Sequence, residues 1–268
     1  MAGYEHLRVE QRGGAAWITM QRPERLNALN PQLIAELTDF FTRLHEPTAT
    51  RVVVLRGAGR SFCAGLDLEH MQRGGAGQGV APMLEVQRKV RDIMLRMRRC
   101  PQPIVSLVQG AASGGGMALA LASDVRLMTP DARMNAAFIR VGLSGCDVGV
   151  SYFLPRMVGA SVAAEMLLTG RFLGAQRALA LGLASQVDEL PSLEQAAEAL
   201  VAEMLQATPL GLRLTKDALN FALDAPSLEA AIAMEDRNQV LCTQGADFSE
   251  GIAAFLQKRP AAYGKERP

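Results

Sequence analysis

Long apolar runs are missing from this chain. No uninterrupted stretch approaches the ~18–20 residues that a helical membrane span requires, so a membrane partner is not expected. Charge of either sign in excess is missing too: 28 Lys and Arg against 27 Asp and Glu leave a formal net charge of +1. A nucleic-acid binder usually shows a strongly basic face, so that class of partner is also set aside. Cysteines number four, Cys63, Cys100, Cys146 and Cys242, with no CxxC spacing. They predict reduced thiols in a cytosol-like, cytoplasmic setting, neither a disulfide framework nor a zinc site. Histidines number three, His6, His45 and His70, too few and too scattered for a metal centre. The N-terminus lacks a charged-then-apolar leader pattern, and Glu5 and Glu10 suit a transit peptide poorly. What remains is 49% hydrophobic residues and 21% charged ones over 268 residues, the composition of a globular protein with a large core. The thirteen methionines are spread through several segments and read as gap-filling core.

The chain is organised around Gln109 to Asp124, QGAASGGGMALALASD. The run Ile104-Val105-Ser106-Leu107-Val108 before it is short, rich in β-branched residues and preceded by Pro103, the pattern of a buried strand. Gly114, Gly115 and Gly116 follow, then the helix formers Met117 to Ala122. A strand, a glycine turn and an apolar helix leave unpaired N–H groups and a positive dipole end at the helix start. Without side chains there, a ligand oxygen can approach closely. The alternative, that the glycines only let a buried helix pack on a strand, stays open at this point. A second stretch repeats the logic: Val52 to Arg56 reads as a strand, followed by GAGRSFCAGLDL from Gly57 to Leu68. Two such turns can aim two N–H groups at one oxygen, and losing one donor of such a pair typically costs ~3–4 kcal/mol of transition-state energy.

The remaining segments read in order. Leu7 to Glu10 and Ala15 to Met20 predict a hairpin around Gly13-Gly14. Asn30-Pro31 opens a helix to about His45 with an apolar stripe of Leu33, Ile34, Leu37, Phe40, Phe41 and Leu44. The glycine-rich stretch from Arg73 to Ala81 has little to bury and reads as mobile. The helix after it, Pro82 to about Arg99, carries Arg88, Lys89, Arg91, Arg96, Arg98 and Arg99, either as a solvated face or as an attractor for phosphates. Val125 to Met128 and Met134 to Phe138 predict short strands, Leu154 to Leu168 a single helix, and Ala175 to Leu181 a short one closed by Gly182. From Ser192 onward only helical patterns occur, Leu193–Gln206, Pro209–Leu223, Ser227–Cys242 and Ser249–Leu256.

RPERLNALN (Arg22 to Asn30), GRSFCAGLDL, QGAASGGGMALALASD and the later LTGR with ALALGLASQV (Leu168 to Val187) together resemble the crotonase superfamily, the enoyl-CoA hydratase/isomerase family, from about Tyr4 to about Lys258. The resemblance implies an α/β fold: a spiral of ββα units carrying the acyl-CoA site over residues 1–191, then a C-terminal helical oligomerisation subdomain over 192–268. It also implies assembly as a homotrimer or a dimer of trimers. The substrate would be an acyl-CoA thioester, with coenzyme A part of the substrate and no separate cofactor or metal. Its carbonyl would sit in an oxyanion hole formed by the backbone N–H groups of Leu66 and Gly115. Arg25, Leu26, Ala28, Ala64, Asp67 and Leu68 would lie along the coenzyme A moiety, and Lys258 would reach its nucleotide end. Exposed, solvated charge is the competing reading for Arg25 and Lys258.

The departure from the family pattern is informative. Family hydratases carry a glutamate two residues after the triple glycine and another twenty residues further on, and use the pair to activate water and deliver a proton. Those positions hold Ala118 and Phe138 here, and neither side chain can move a proton. Asp147, in SGCDVGV between Gly145 and Gly149, is the candidate replacement, similarly placed to an aspartate of dienoyl-CoA isomerases and 4-chlorobenzoyl-CoA dehalogenase. Beside an apolar pocket its pKa would rise and suit it to shuttle a proton; otherwise it caps the next helix. Glu69, Glu85 and His70 are lesser candidates; Cys146, a nucleophile candidate without an evident partner histidine, reads as a buried, inert thiol. Phe138, Phe153, Met157 and residues 72–86 are expected to shape the acyl pocket. With one carboxylate, double-bond isomerisation is simpler than hydration. Asp147-assisted hydration, acyl-CoA hydrolysis, decarboxylation and a non-catalytic CoA-binding or assembly role are the alternatives.

Overall fold

The computed structural model describes residues 3–46, 48–73 and 79–264. The chain opens with the hairpin β1 (Leu7–Arg12) and β2 (Ala15–Met20), paired from Leu7↔Met20 to Arg12↔Ala15. Helix α1 (Pro31–Arg43) begins where Asn30 accepts a hydrogen bond from Leu33 N at 2.9 Å, with Pro31 at the first helical position. After β3 (Val52–Gly57) come the short α2 (Leu68–Arg73) and the long α3 (Val80–Arg99). Residues 74–78, the middle of the stretch expected to be mobile, lie outside the described residues, and Val80 and Ala81 already belong to α3.

Next follow β4 (Ile104–Val108), β5 (Ala111–Ser113), α4 (Gly115–Ala122), β6 (Val125–Met128) and β7 (Arg133–Asn135). The chain continues through α5 (Val150–Val158), α6 (Ala160–Thr169), β8 (Leu173–Gly174), α7 (Ala175–Ala180) and β9 (Gln186–Val187). Two expectations are corrected here. The strand expected from Met134 to Phe138 stops at Asn135 and gives way to a 3-10 turn over Ala137–Val141. The single helix expected over Leu154–Leu168 is two, α5 and α6, because Gly159 at φ 80° turns the chain between them.

Strands β1-β2-β3-β4-β6-β9 form a six-stranded sheet, parallel after its first pair, and β5-β7-β8 form a second, three-stranded sheet. The chain steps from the large sheet to the small one, then through helix, and back: β4 to β5 to α4, then β6 to β7 to α5 and α6. This repetition is the ββα spiral. The parallel strands are buried on both faces, so they read as continuous apolar runs. One face carries Ala16, Ile18, Met20, Val53, Leu55 and Ile104 against α1, α3 and α4; in α3 the stripe is Val90, Ile93, Met94 and Met97. The other face carries Trp17, Val54, Val105 and Leu107 against Leu193, Ala197 and Val201 of α8 (Leu190–Leu205). Trp17 is 1% exposed, with the Arg12 and Arg56 guanidinium groups 4.3 and 5.5 Å from its ring.

Helices α9 (Pro209–Ala222), α10 (Leu228–Thr243) and α11 (Ala246–Leu256) complete the C-terminal helical region. Lys216 of α9 is buried and is its anchor: Nζ donates to Met97 O at 3.0 Å and Gln102 O at 2.8 Å, and pairs with Asp124 at 3.0 Å. Asp124 also accepts from Ile104 N at 2.8 Å and pairs with Arg98 at 3.3 Å, so one carboxylate ties α9 to α3 and β4.

Candidate active site

The segment after β3 is sewn into place on both sides. Cys63 bridges to Ala112 of β5, its N–H donating to Ala111 O at 3.1 Å and its carbonyl accepting from Ser113 N at 3.0 Å. Leu66 bridges to Leu29 in parallel fashion: Leu29 N donates to Gly65 O at 2.7 Å, and Asp67 N donates to Leu29 O at 3.0 Å. In that pattern the partners are residues 65 and 67, so Leu66's own N–H points away from Leu29. Burial pushes the Cys63 thiol up to about 12, so this cysteine is structural packing.

Each of the three glycines has its own reason. Gly114 precedes α4 with φ 53°, a region L side chains rarely adopt, and accepts from Ala118 N at 3.0 Å. Gly116 lets the helix touch the Cys63 bridge, since an added Cβ would stand 2.0 Å from Cys63 O. Gly115 is the first residue of α4, so its N–H has no partner within the helix. A Cβ on Gly65 would lie 2.7 Å from Ser113 O and 3.3 Å from Gly115 N. The two turns therefore abut; tight packing accounts for Gly116 and also bears on Gly115, where an added Cβ would stand 2.9 Å from Leu29 Cδ1.

Leu66 and Gly115 both line a cavity of about 340 Å³, together with Leu29, Ala64, Gly65, Leu68, Met71, Gln72 and Gly114 on one side. Met83, Val86, Gln87 and Val90 of α3, Ala137, Phe138 and Val141 of the 3-10 turn, and Leu143, Asp147 and Val148 close the other. Wider clefts exist, about 500 Å³ beside Tyr4 and Phe40 and about 620 Å³ between α9 and α10. They lack this convergence of two glycine turns and a lone carboxylate, so size does not decide the assignment. Among the residues lining the cavity, Asp147 is the one with a charged side chain.

Asp147 sits half-buried in the turn before α5. Its Oδ1 accepts from Val148 N at 2.8 Å and from the Gln87 amide, while Val150 N donates to its carbonyl at 2.9 Å. Burial raises its carboxyl above the ordinary range, and the Val148 and Gln87 donors pull it part of the way back. It does not cap α5: the cap residue is Gly149, without a side-chain hydrogen bond. The turn is strained at Val148, a β-branched residue at φ 39°.

Phe138 occupies the lip beside Gly114, and Ala118 is fully buried inside α4, away from the cavity. Phe153 and Met157 are corrections: Phe153 packs under Gly149, Met157 packs against the core, and neither lines the cavity. Cys146 is a correction as well, because it is exposed. Glu69 is exposed and pairs with Arg25 at 2.8 Å; Glu85 and His70 are exposed. None of the basic residues of α3 lines the cavity, and Arg98 turns instead to Asp124 and Asn220.

Of the residues expected along coenzyme A, Ala64 and Leu68 line the cavity, while Arg25, Leu26, Ala28 and Asp67 are not among its lining residues. Leu26 O accepts from Ala64 N at 2.9 Å. Asp67 pairs with Arg22 at 3.0 Å, and Arg22 also donates to Ala28 O. Burial alone would raise the Asp67 carboxyl, but the His70 N–H and Arg22 hold it below its ordinary value. Lys258 is exposed near the C-terminus, at φ 51°, and is not brought to the cavity. Two buried residues went unread in the sequence. Arg22 bridges the segments on either side of Leu66. Asn27 donates to Ala58 O and Ser61 O at 2.8 Å each and accepts from Arg22 N at 2.9 Å. The RPERLNALN motif contained both, but nothing in it marked which polar residues turn inward.

Comparison with known proteins bears on the family and the fold. The family model described as enoyl-CoA hydratase/isomerase matches residues 10–266. The 1,2-epoxyphenylacetyl-CoA isomerase of Escherichia coli K12 is 33% identical over 94% of this chain and 96% of its own length. The (E)-benzylidenesuccinyl-CoA hydratase of Thauera aromatica is 33% identical over 92% of this chain and 94% of its own. The crystal structure of enoyl-CoA hydratase from Bacillus anthracis superposes with a TM-score of 0.91, at 30% identity, covering 98% of this chain and 100% of that one.

Proposed function

The chain belongs to the enoyl-CoA hydratase/isomerase family, and from that premise we propose that it relocates a double bond in an acyl-CoA thioester with Asp147 as the proton carrier. At the coarser level it is an enzyme of lyase or isomerase type acting on acyl-CoA. The thioester carbonyl accepts from the N–H groups of Leu66 and Gly115. Asp147 takes the α-proton of a β,γ-enoyl thioester, and the C–H electron pair enters a dienolate whose oxygen charge those donors hold. The resulting acid, free to exchange its proton with solvent, delivers a proton to the γ-carbon. The electron pairs then settle as an α,β-enoyl thioester, with no water consumed.

One observation carries this reading: among the described residues, the cavity that holds both glycine turns is lined by a single ionisable side chain, Asp147. Hydration by a carboxylate pair has no second acid to use there, since Phe138 supplies a hydrocarbon wall. The acyl group is uncharged and apolar, matched to Met71, Met83, Val86, Phe138, Val141 and Leu143. Coenzyme A enters as part of the substrate, along Arg25, Leu26, Ala28, Ala64, Asp67 and Leu68, with Lys258 at the nucleotide end.

Self-association as a homotrimer or dimer of trimers belongs to the same proposal. It is supported by apolar side chains exposed on the C-terminal helices, with Phe255 at 85% and Leu256 at 75%. Free thiols at all four cysteines suit a cytoplasmic setting.

The test is exchange of the α-hydrogen in heavy water, followed by NMR on short and long acyl-CoA thioesters, for wild type and Asp147→Asn. Exchange lost in the variant while thioester binding persists is the expected result. Exchange that survives the substitution moves the base elsewhere. Binding without exchange in wild type returns the chain to a non-catalytic CoA-binding role. Assisted hydration is favoured instead if solvent oxygen enters the product.

A further inference from the structure

The outer half of α3, from Val80 to Lys89, is exposed apart from the half-buried Met83, and the helix's buried stripe starts only at Val90. Among the described residues, one hydrogen bond ties that half to another element: Gln87 Nε2 donates to Asp147 Oδ1. An exposed glutamine on a helix is ordinarily left to water, because fixing it costs side-chain entropy. Here it reaches a residue 60 positions away, across the cavity that both line.

The chemistry of the contact is specific. Oδ1 of Asp147 already accepts from Val148 N at 2.8 Å, so with Gln87 it carries two donors. An amide NH₂ can only donate, and an oxygen with both acceptor directions engaged is a poor seat for a proton. We infer that Gln87 is a positioning residue: by occupying Oδ1 it makes Oδ2 the oxygen that carries the proton, and it keeps the carboxyl available as a base. The inference rests on the reading of Asp147 as the proton carrier.

The surroundings leave this role to hydrogen bonding. Glu85 and Arg88 on α3, Arg140 on the 3-10 turn and Cys146 beside the aspartate are exposed, and none lines the cavity. Tyr152 and Arg156 of α5 turn to Asp224. Burial pushes the carboxyl up, and the two donors are what oppose it. Removing one of them makes Asp147 harder to ionise.

The experiment compares wild type, Gln87→Leu and Asp147→Asn by α-proton exchange against pH, and by NMR titration of ¹³C-carboxyl-labelled aspartate, with Asp147→Asn identifying the resonance. For Gln87→Leu the expected result is a kcat about tenfold lower on the acid limb of the profile, with KM within twofold. The acid limb of the profile should move up by about one pH unit, and the carboxyl titration should move with it. A Gln87→Leu profile and titration that overlay wild type, with exchange lost in Asp147→Asn, would overturn the role of Gln87 and leave Asp147 standing. Loss confined to KM would do the same, assigning Gln87 to substrate contact. Unchanged exchange in Asp147→Asn would remove the parent reading and this one with it.

Discussion

Phe138 lies against Gly114: a Cβ placed on that glycine would stand 3.3 Å from the phenyl Cε1. The ring is 9% exposed and forms part of the cavity wall next to the paired turns. A position that could have supplied a second carboxylate supplies shape instead. Phe138→Ala enlarges the cavity at the acyl end. The expected outcome is a kcat/KM about tenfold lower for compact acyl groups and higher for branched or ring-bearing ones, read across an acyl-CoA series.

Gly65→Ala tests the proposed oxyanion hole without touching either donor. Its methyl would press on Ser113 O and Gly115 N, and the backbone at φ 93° disfavours any side chain. Separating the turns should cost about 10²–10³ in kcat, the loss typical of one missing donor. Binding of coenzyme A alone, measured by calorimetry, should change little.

Asp147 contributes to stability with the opposite sign from its proposed part in turnover. Its folded pKa is raised, so its contribution is favourable below the unfolded value of about 3.9 and is lost as pH rises through the folded value. At neutral pH the folded chain therefore holds an ionised group that burial disfavours. Asp147→Asn should melt higher than wild type at neutral pH, with the difference vanishing in acid, as followed by calorimetry across pH. A variant that loses exchange while gaining Tm would separate chemistry from folding.

Lys216→Met removes the cation but keeps the stem. Asp124 and the carbonyls of Met97 and Gln102 lose a donor inside the structure. The expected destabilisation is about 3–5 kcal/mol, the usual cost of leaving one partner of a buried pair behind. Denaturant unfolding at fixed protein concentration measures it.

The spiral and the glycine turns were legible in the sequence because each rests on a local rule. Val52–Leu55 is an unbroken apolar run, Ile104–Val108 is broken only by Ser106, and Asn30-Pro31 marks the start of α1 by chemistry that needs no tertiary partner. The break between α5 and α6 was not, because a glycine at 159 within an otherwise helical pattern can be absorbed or can turn the chain. At Gly159 the φ of 80° turns the chain, a conformation that local propensity alone does not announce. The same limit hid Arg22, Asn27 and Gln87. A polar residue on a short turn or an exposed helix gains its role from a partner far along the chain, as Gln87 does from Asp147. Cys146 reversed its expected burial because the loop, not its side chain, decides which way it faces.

Trp17, the one tryptophan of the sequence, stands on the sheet face that carries α8, whereas the cavity borders the cluster on the other face. Its emission is therefore a built-in optical reporter for the seating of α8 on the strands and for the two guanidinium groups at its ring. Ligand titrations followed by intrinsic fluorescence should be silent even when the site is filling. Occupancy has to be read by a label or a signal on the opposite side of the sheet.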